Sequence, residues 1–94
     1  MPYRFDWDPD KARSNEAKHG VEFVDAQCVF QDPLAIDWAD DREDYSEDRY
    51  IRLGIVEGRL LFVVYTMLDE QTVRIISARK ARPNERRKYH EGQE

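Results

Sequence analysis

Tyr3, Phe5 and Trp7 alternate with Arg4 and Asp6, the period-two pattern of a short strand that ends at Trp7. Asp8 then offers an N-cap oxygen, Pro9 fits the first helical position, where a missing N–H costs nothing, and Asp10 suits the positive helix end. A helix is predicted from there to about His19, with Lys18 and His19 at its negative end and Gly20 as the left-handed cap. Phe23, Ala26, Val29 and Phe30 recur at helical spacing until Asp32-Pro33, which predicts a short second helix with Cys28 buried and inert beside its stripe. Leu34 to Ile36 reads as a brief strand, and the acidic stretch from there to Asp48 as an extended loop without regular structure.

Ile51, Leu53 and Ile55 alternate with Tyr50, Arg52 and Gly54, so this strand buries one face. Arg59 to Met67 is apolar at almost every position and predicts a central strand covered on both faces. Glu57-Gly58 and Leu68 to Gln71 are turns, and Thr72 to Ala78 is a third strand with Val73 and Ile75 on one side, Arg74 and Ile76 on the other. Pro83 opens a last helix, Asn84 to about His90, which Gly92 ends. The fold class is α+β: a small antiparallel sheet with two N-terminal helices lying on it, a C-terminal helix at its edge, and the first strand pairing with the edge of the meander.

A length of 94 residues predicts a single domain spanning 1–94, and 40% hydrophobic residues supply a core while 37% charged residues supply its surface. One cysteine forms no internal disulfide, and with two histidines there is no closed zinc set. No apolar run reaches the roughly 18 to 20 residues that span a bilayer, and the start carries no signal-peptide pattern, so a cytoplasmic protein is expected. The net charge of −5 argues against non-specific nucleic-acid binding through bulk charge. Its distribution says more. Asp32 to Asp48 holds eight carboxylates against Arg42 alone, whereas Arg74 to Lys88 holds seven bases against Glu85 alone, so the molecule is electrically bipolar. Eleven of the fifteen bases are Arg, the side chain whose planar fork matches phosphate or carboxylate.

Glycine-rich phosphate loops, a Ser-His-Asp arrangement and paired metal-ligand histidines are absent. Two clusters remain. Lys11, Asn15, Lys18 and His19 share one stripe of the first helix, where His19 can exchange protons near neutral pH and the lysines can hold a phosphate; the plain alternative is that Lys18 and His19 only complement the helix end. Arg59, Arg74, Arg79 and Lys80, with Tyr65 and Tyr89 as possible neighbours, form the second, either as phosphate contacts or as structural ion pairs. Asp37, Asp40, Asp41, Asp44 and Asp48 offer a rival Mg2+ or Ca2+ site, although without EF-hand spacing or its central glycine. Trp7 reads as core, and Trp38 as a surface on which a base can stack.

FDWDPDKARSNEAKHGVEF from Phe5 to Phe23, EDR from Glu47 to Arg49, GRLLFVVYT from Gly58 to Thr66 and VRIISARKARPNERRKY from Val73 to Tyr89 together resemble the BrnT toxin family. The resemblance covers nearly the whole chain in the family's order. It implies the ribonuclease half of a type II toxin–antitoxin pair, with a RelE-like fold, that cuts RNA and arrests growth; with the residue types of the two clusters, the expected reaction uses no metal or other cofactor. It implies a BrnA-like antitoxin carrying a ribbon-helix-helix domain, two toxins bound to an antitoxin dimer, and contact with operator DNA only through that antitoxin. Carried onto this chain, the family's polar positions are Lys11, Asn15, Lys18, His19, Arg49, Arg59, Arg74, Arg79, Glu85, Arg86 and Tyr89. The expected roles are proton transfer at His19, phosphate-charge stabilisation at Lys18 and Arg79, and substrate binding at Lys11, Arg49, Arg59, Arg74, Lys80 and Tyr89. Tyr45 stands where many members have a histidine, and Met67-Leu68 where they carry a base. An inactive interaction module that partners a DNA-binding repressor shares the same expected fold.

Overall fold

The computed structural model describes residues 2–93. Its strands are β1 (Arg4–Asp6), β2 (Ile36–Ala39), β3 (Tyr50–Val56), β4 (Arg59–Met67) and β5 (Thr72–Lys80); its helices are α1 (Pro9–His19), α2 (Phe23–Ala26) and α3 (Pro83–Glu91). A 3-10 segment, Gln27–Gln31, continues α2 and completes the predicted second helix. The strands form one sheet in the order β1-β5-β4-β3-β2. β1 pairs with the meander's edge as expected, but runs parallel to β5, so the sheet is mixed.

The punctuation of α1 acts as its residue types require. Asp8 accepts from the N–H groups of Asp10 and Lys11 at 2.8 and 3.4 Å. Gly20 closes the helix at φ 70° with its N–H on the Glu16 carbonyl, a conformation glycine adopts without strain. At α3 the Arg82 N–H donates to the Glu85 carboxylate at 2.8 Å, one arm of a capping box.

The sheet is buried on both faces, which explains the near-continuous apolar run of β4. One face packs Leu61, Val63, Tyr65, Val73, Ile75 and Ala78 against Val21, Phe23, Ala26 and Val29, with Trp7 edge-on to Phe23. The other packs Ile51, Leu53, Leu60, Phe62 and Val64 against Tyr89 of α3. β5 carries one extra residue against β4, since Val64 faces Ser77 while Tyr65 faces Ile75. This bulge returns Arg79, opposite Phe62, to the same face as Arg74, opposite Thr66; strict alternation over five residues would have separated them.

The acidic segment departs from expectation. β2 begins at Ile36, not Leu34, and includes Asp37, whose carboxylate takes Arg52 Nη1 and the Tyr65 hydroxyl at 2.5 Å each. The loop that follows is organised, not held open by repulsion. Asp40 is only 6% exposed and receives both Nε and Nη2 of Arg42 at 2.7 and 2.8 Å and the Tyr45 hydroxyl at 3.1 Å. Thr66 ties the loop to β4 by donating to the Asp48 carbonyl at 2.6 Å. A desolvated carboxylate must be paired, and Asp40 gathers its partners from the loop itself.

Candidate active site

α1 lies along the edge of β5 beyond the point where β1 ends. Lys11, Ser14, Asn15, Lys18 and His19 line a groove of about 200 Å³ with Ile76 and Ser77 of β5. The α1 stripe is thus a surface feature except at Asn15, which is 7% exposed and bonded to the β5 backbone at Ala78. Of the second predicted cluster only Arg79 comes near the first: Lys18, Arg79 and Arg82 are near enough for their charges to act on His19. Partial burial and these three cations lower the His19 pKa below its ordinary 6.5, which keeps the imidazole neutral and able to accept a proton at pH 7.

Arg79 is held tightly. Its side chain is 15% exposed, its guanidinium carbon lies 3.9 Å from the centre of the Phe62 ring, and Nη1 and Nη2 donate to the two oxygens of Glu85 at 2.8 and 2.9 Å. Burial pushes the Glu85 carboxyl up, but the hydrogen bonds from Arg79 and the Arg82 N–H, with both positive charges, hold it below the usual range. Arg79 therefore enters the site as a fixed, partly neutralised cation. Arg82, one of the seven bases of the Arg74–Lys88 run, is exposed and without an ion-pair partner among the described residues. The signal in the sequence is its position between β5 and the Pro83 helix start, from which its charge reaches His19.

The other predicted residues lie elsewhere. Arg74 sits about 15 Å from Arg79 along β5 at the usual strand rise and pairs with Asp6 at 3.3 Å. Arg59 pairs with Asp25 at 3.4 Å, and Arg49 with Glu47 at 3.2 Å while stacking over Tyr45 at 4.2 Å. Lys80 is exposed and, by strand alternation, opposite in direction to Arg79. Tyr65 is buried on the face covered by α2 and the 3-10 segment, where burial and Asp37 push its hydroxyl above the ordinary phenol value. Tyr89 is 3% exposed and donates to Asp32 at 2.7 Å, its pKa pushed up to about 12 by burial and that carboxylate. It is a core residue, outside the reach of RNA. Among the described residues no three of His, Cys, Asp and Glu converge as metal ligands, since Asp37 and Asp40 already hold arginines and tyrosines.

A mixed sheet with a helix along one edge, whose last residue, His19, feels the charges of Lys18, Arg79 and Arg82, defines a small α+β protein. A family described as the ribonuclease toxin BrnT of type II toxin–antitoxin systems matches residues 7–85, and the chain belongs to that family. The crystal structure of the Brucella abortus ribonuclease toxin BrnT superposes with a TM-score of 0.66 at 23% identity, covering 85% of this chain and 97% of that one, a likeness of fold. No curated protein matches the chain. The protein is accordingly a ribonuclease toxin whose system includes an antitoxin partner. Among the described residues no helix is long and apolar enough to cross a membrane.

Proposed function

We propose that this chain, acting as one toxin domain, cuts RNA internally and without a metal at the corner where α1 meets the end of β5. The observation that carries the reading is that His19 lines the α1–β5 groove with Lys11 and Lys18 and feels the charges of Lys18, Arg79 and Arg82. Neutral His19 takes the proton of a ribose 2′-hydroxyl as that oxygen attacks the adjacent phosphorus in line; the 5′-oxygen of the next nucleotide leaves, taking a proton from solvent, and a 2′,3′-cyclic phosphate remains. Lys18 and Arg82 stabilise the charge that develops on the phosphoryl oxygens, with Arg79 adding the fixed charge that Glu85 orients. Lys11 guides the strand along the groove, and Lys80 adds long-range attraction from the far side of the strand. In this reading Arg49, Arg59 and Arg74, each paired with a carboxylate of the chain, and Tyr89, buried and bonded to Asp32, take no part in the reaction. The antitoxin in this reading is a ribbon-helix-helix protein, bound as a dimer to two toxins in the cytoplasm, and it alone contacts operator DNA. The toxin's net charge of −5 supports that division.

The test is cleavage of a structured RNA by the purified protein in EDTA, beside growth after induced expression with and without the antitoxin gene. Wild type should cut and arrest growth, the antitoxin should reverse both, and His19→Ala should lower the rate by about 10²- to 10⁴-fold, as for loss of a general base. Arg82→Ala should also lower it while leaving the melting curve unchanged. A folded His19→Ala protein that cuts as fast as wild type would overturn the assignment. The pairing of Arg49, Arg59, Arg74 and Arg79 with internal carboxylates favours a second reading, an inactive partner module, for which folded wild type leaves RNA intact.

A further inference from the structure

Beside the proposed cleavage corner, and sharing Arg79 and Arg82 with it, a cleft of about 240 Å³ opens between the acidic loop and the first turns of α3. Its size is below that of drug-sized pockets and suits one planar ring system. Its floor is aromatic and cationic. Phe62 has the Arg79 guanidinium at 3.9 Å and that of Arg42 at 5.4 Å from its ring centre, and Trp38 has Lys88 Nζ at 3.9 Å. Phe62 is itself only 4% exposed and the Arg79 side chain 15%, so the plane left open to a base is the half-exposed Arg42 guanidinium above the ring, and guanidinium planes stack on bases in single-stranded RNA recognition.

The rim carries the selectivity. Asp40 is consumed by Arg42 and Tyr45, but Asp41 and Asn84, both exposed, have no hydrogen-bond or ion-pair partner among the described residues. A carboxylate at that place repels phosphate and accepts from a base edge that donates. Of the four bases, guanine presents adjacent N1–H and N2–H donors to a single carboxylate, while Asn84 can complete the contact from α3.

We propose that this cleft is a guanine-binding subsite that fixes the base next to the cut, with Asp41 and Asn84 reading its edge. The proposal rests on the cleavage site argued above for its place in the reaction, but not for binding. Its test therefore has two arms. In the first, wild type, Asp41→Ala and Asn84→Ala digest a random-sequence RNA pool, and the cut ends are sequenced. Wild type should show guanine enriched at one position flanking the cut, and folded Asp41→Ala should lose that enrichment by about tenfold or more. In the second, guanosine and adenosine 5′-monophosphates are titrated into Trp7→Phe protein, where Trp38 is the reporter. Guanosine monophosphate should bind about tenfold more tightly or better, and Asp41→Ala should abolish the difference.

Cleavage without base preference, or a preference that Asp41→Ala leaves intact, overturns the subsite and leaves the cleavage site standing. Asp41-dependent guanosine binding by a protein that cuts no RNA upholds the subsite and removes the cleavage reading. Equal binding of the two nucleotides overturns the subsite whatever the cleavage result.

Discussion

Asn15 shows how a residue's neighbours in sequence and its neighbours in space assign it different work. In sequence it belongs to the polar stripe with Lys11, Lys18 and His19. In the fold it replaces a strand. β1 leaves β5 after the pairing of Asp6 with Arg74, and the backbone edge farther along β5 needs another partner. The Asn15 amide supplies it: Nδ2 donates to the carbonyls of Ala78 and Val21 at 2.8 and 3.0 Å, and Oδ1 accepts the Ala78 N–H at 3.0 Å. Asn15→Leu leaves three buried backbone groups without partners, a loss of about 2–3 kcal/mol. Circular dichroism should show a melting temperature lower by about 10–20 °C. A shift under about 2 °C would mean that water or backbone movement replaces the amide. Because the same residue fixes α1 against β5, it also sets where His19 stands relative to Arg79.

At the scale of elements, what could be read in the sequence was whatever local chemistry marks. Asp8-Pro9 and Gly20 bounded α1, alternation and apolar runs gave β3 and β4, and Pro83 opened α3. β2 was misplaced because Asp37 looks like loop, its charge being answered only by Arg52 and Tyr65 across the sheet. The order around Asp40 was hidden because counting carboxylates measures repulsion and not which one is buried. The β5 bulge has no local mark, yet it decides which face Arg79 takes. For the site, the α1 stripe and Arg79 were legible as chemistry. Their meeting was not, and neither was the burial of Tyr89. Gly54 records another contact of this kind, where β3 meets the 3-10 segment: a Cβ there would lie 3.0 Å from the Val29 Cβ and 3.1 Å from its carbonyl oxygen. Neither atom can swing aside. Gly54→Ala should therefore destabilise by about 1–3 kcal/mol, seen as a lower urea midpoint at unchanged slope. An unaltered midpoint would show that the segment yields at no cost.

Over the whole molecule, pH separates the chemistry from the fold. Asp32, Asp40 and Glu85 all have pKa values lowered in the folded protein. For Asp32 and Glu85 burial opposes the shift, and hydrogen bonds and nearby cations outweigh it; for Asp40 the Arg42 hydrogen bonds dominate. A carboxyl with a lowered folded pKa stabilises the fold above its unfolded value, 3.8 for Asp and 4.5 for Glu here, and that contribution is lost as pH falls through the folded value. Protonation also leaves fifteen Lys and Arg unopposed, so loss of the fold belongs below about pH 4. The lowered pKa of His19 has the same sign, since the unfolded chain binds its proton more readily, but the group is mostly solvated and its share of stability is small. Its effect on cleavage is large, because only the neutral imidazole accepts the 2′-hydroxyl proton. As pH falls, activity should drop along a limb centred below 6.5 while the far-ultraviolet circular dichroism and melting temperature stay near their neutral values, and it should return on neutralisation. Cleavage and dichroism followed from pH 8 to pH 3 on the same samples would check this. If the two curves fall together, activity is limited by folding and His19 is not the base.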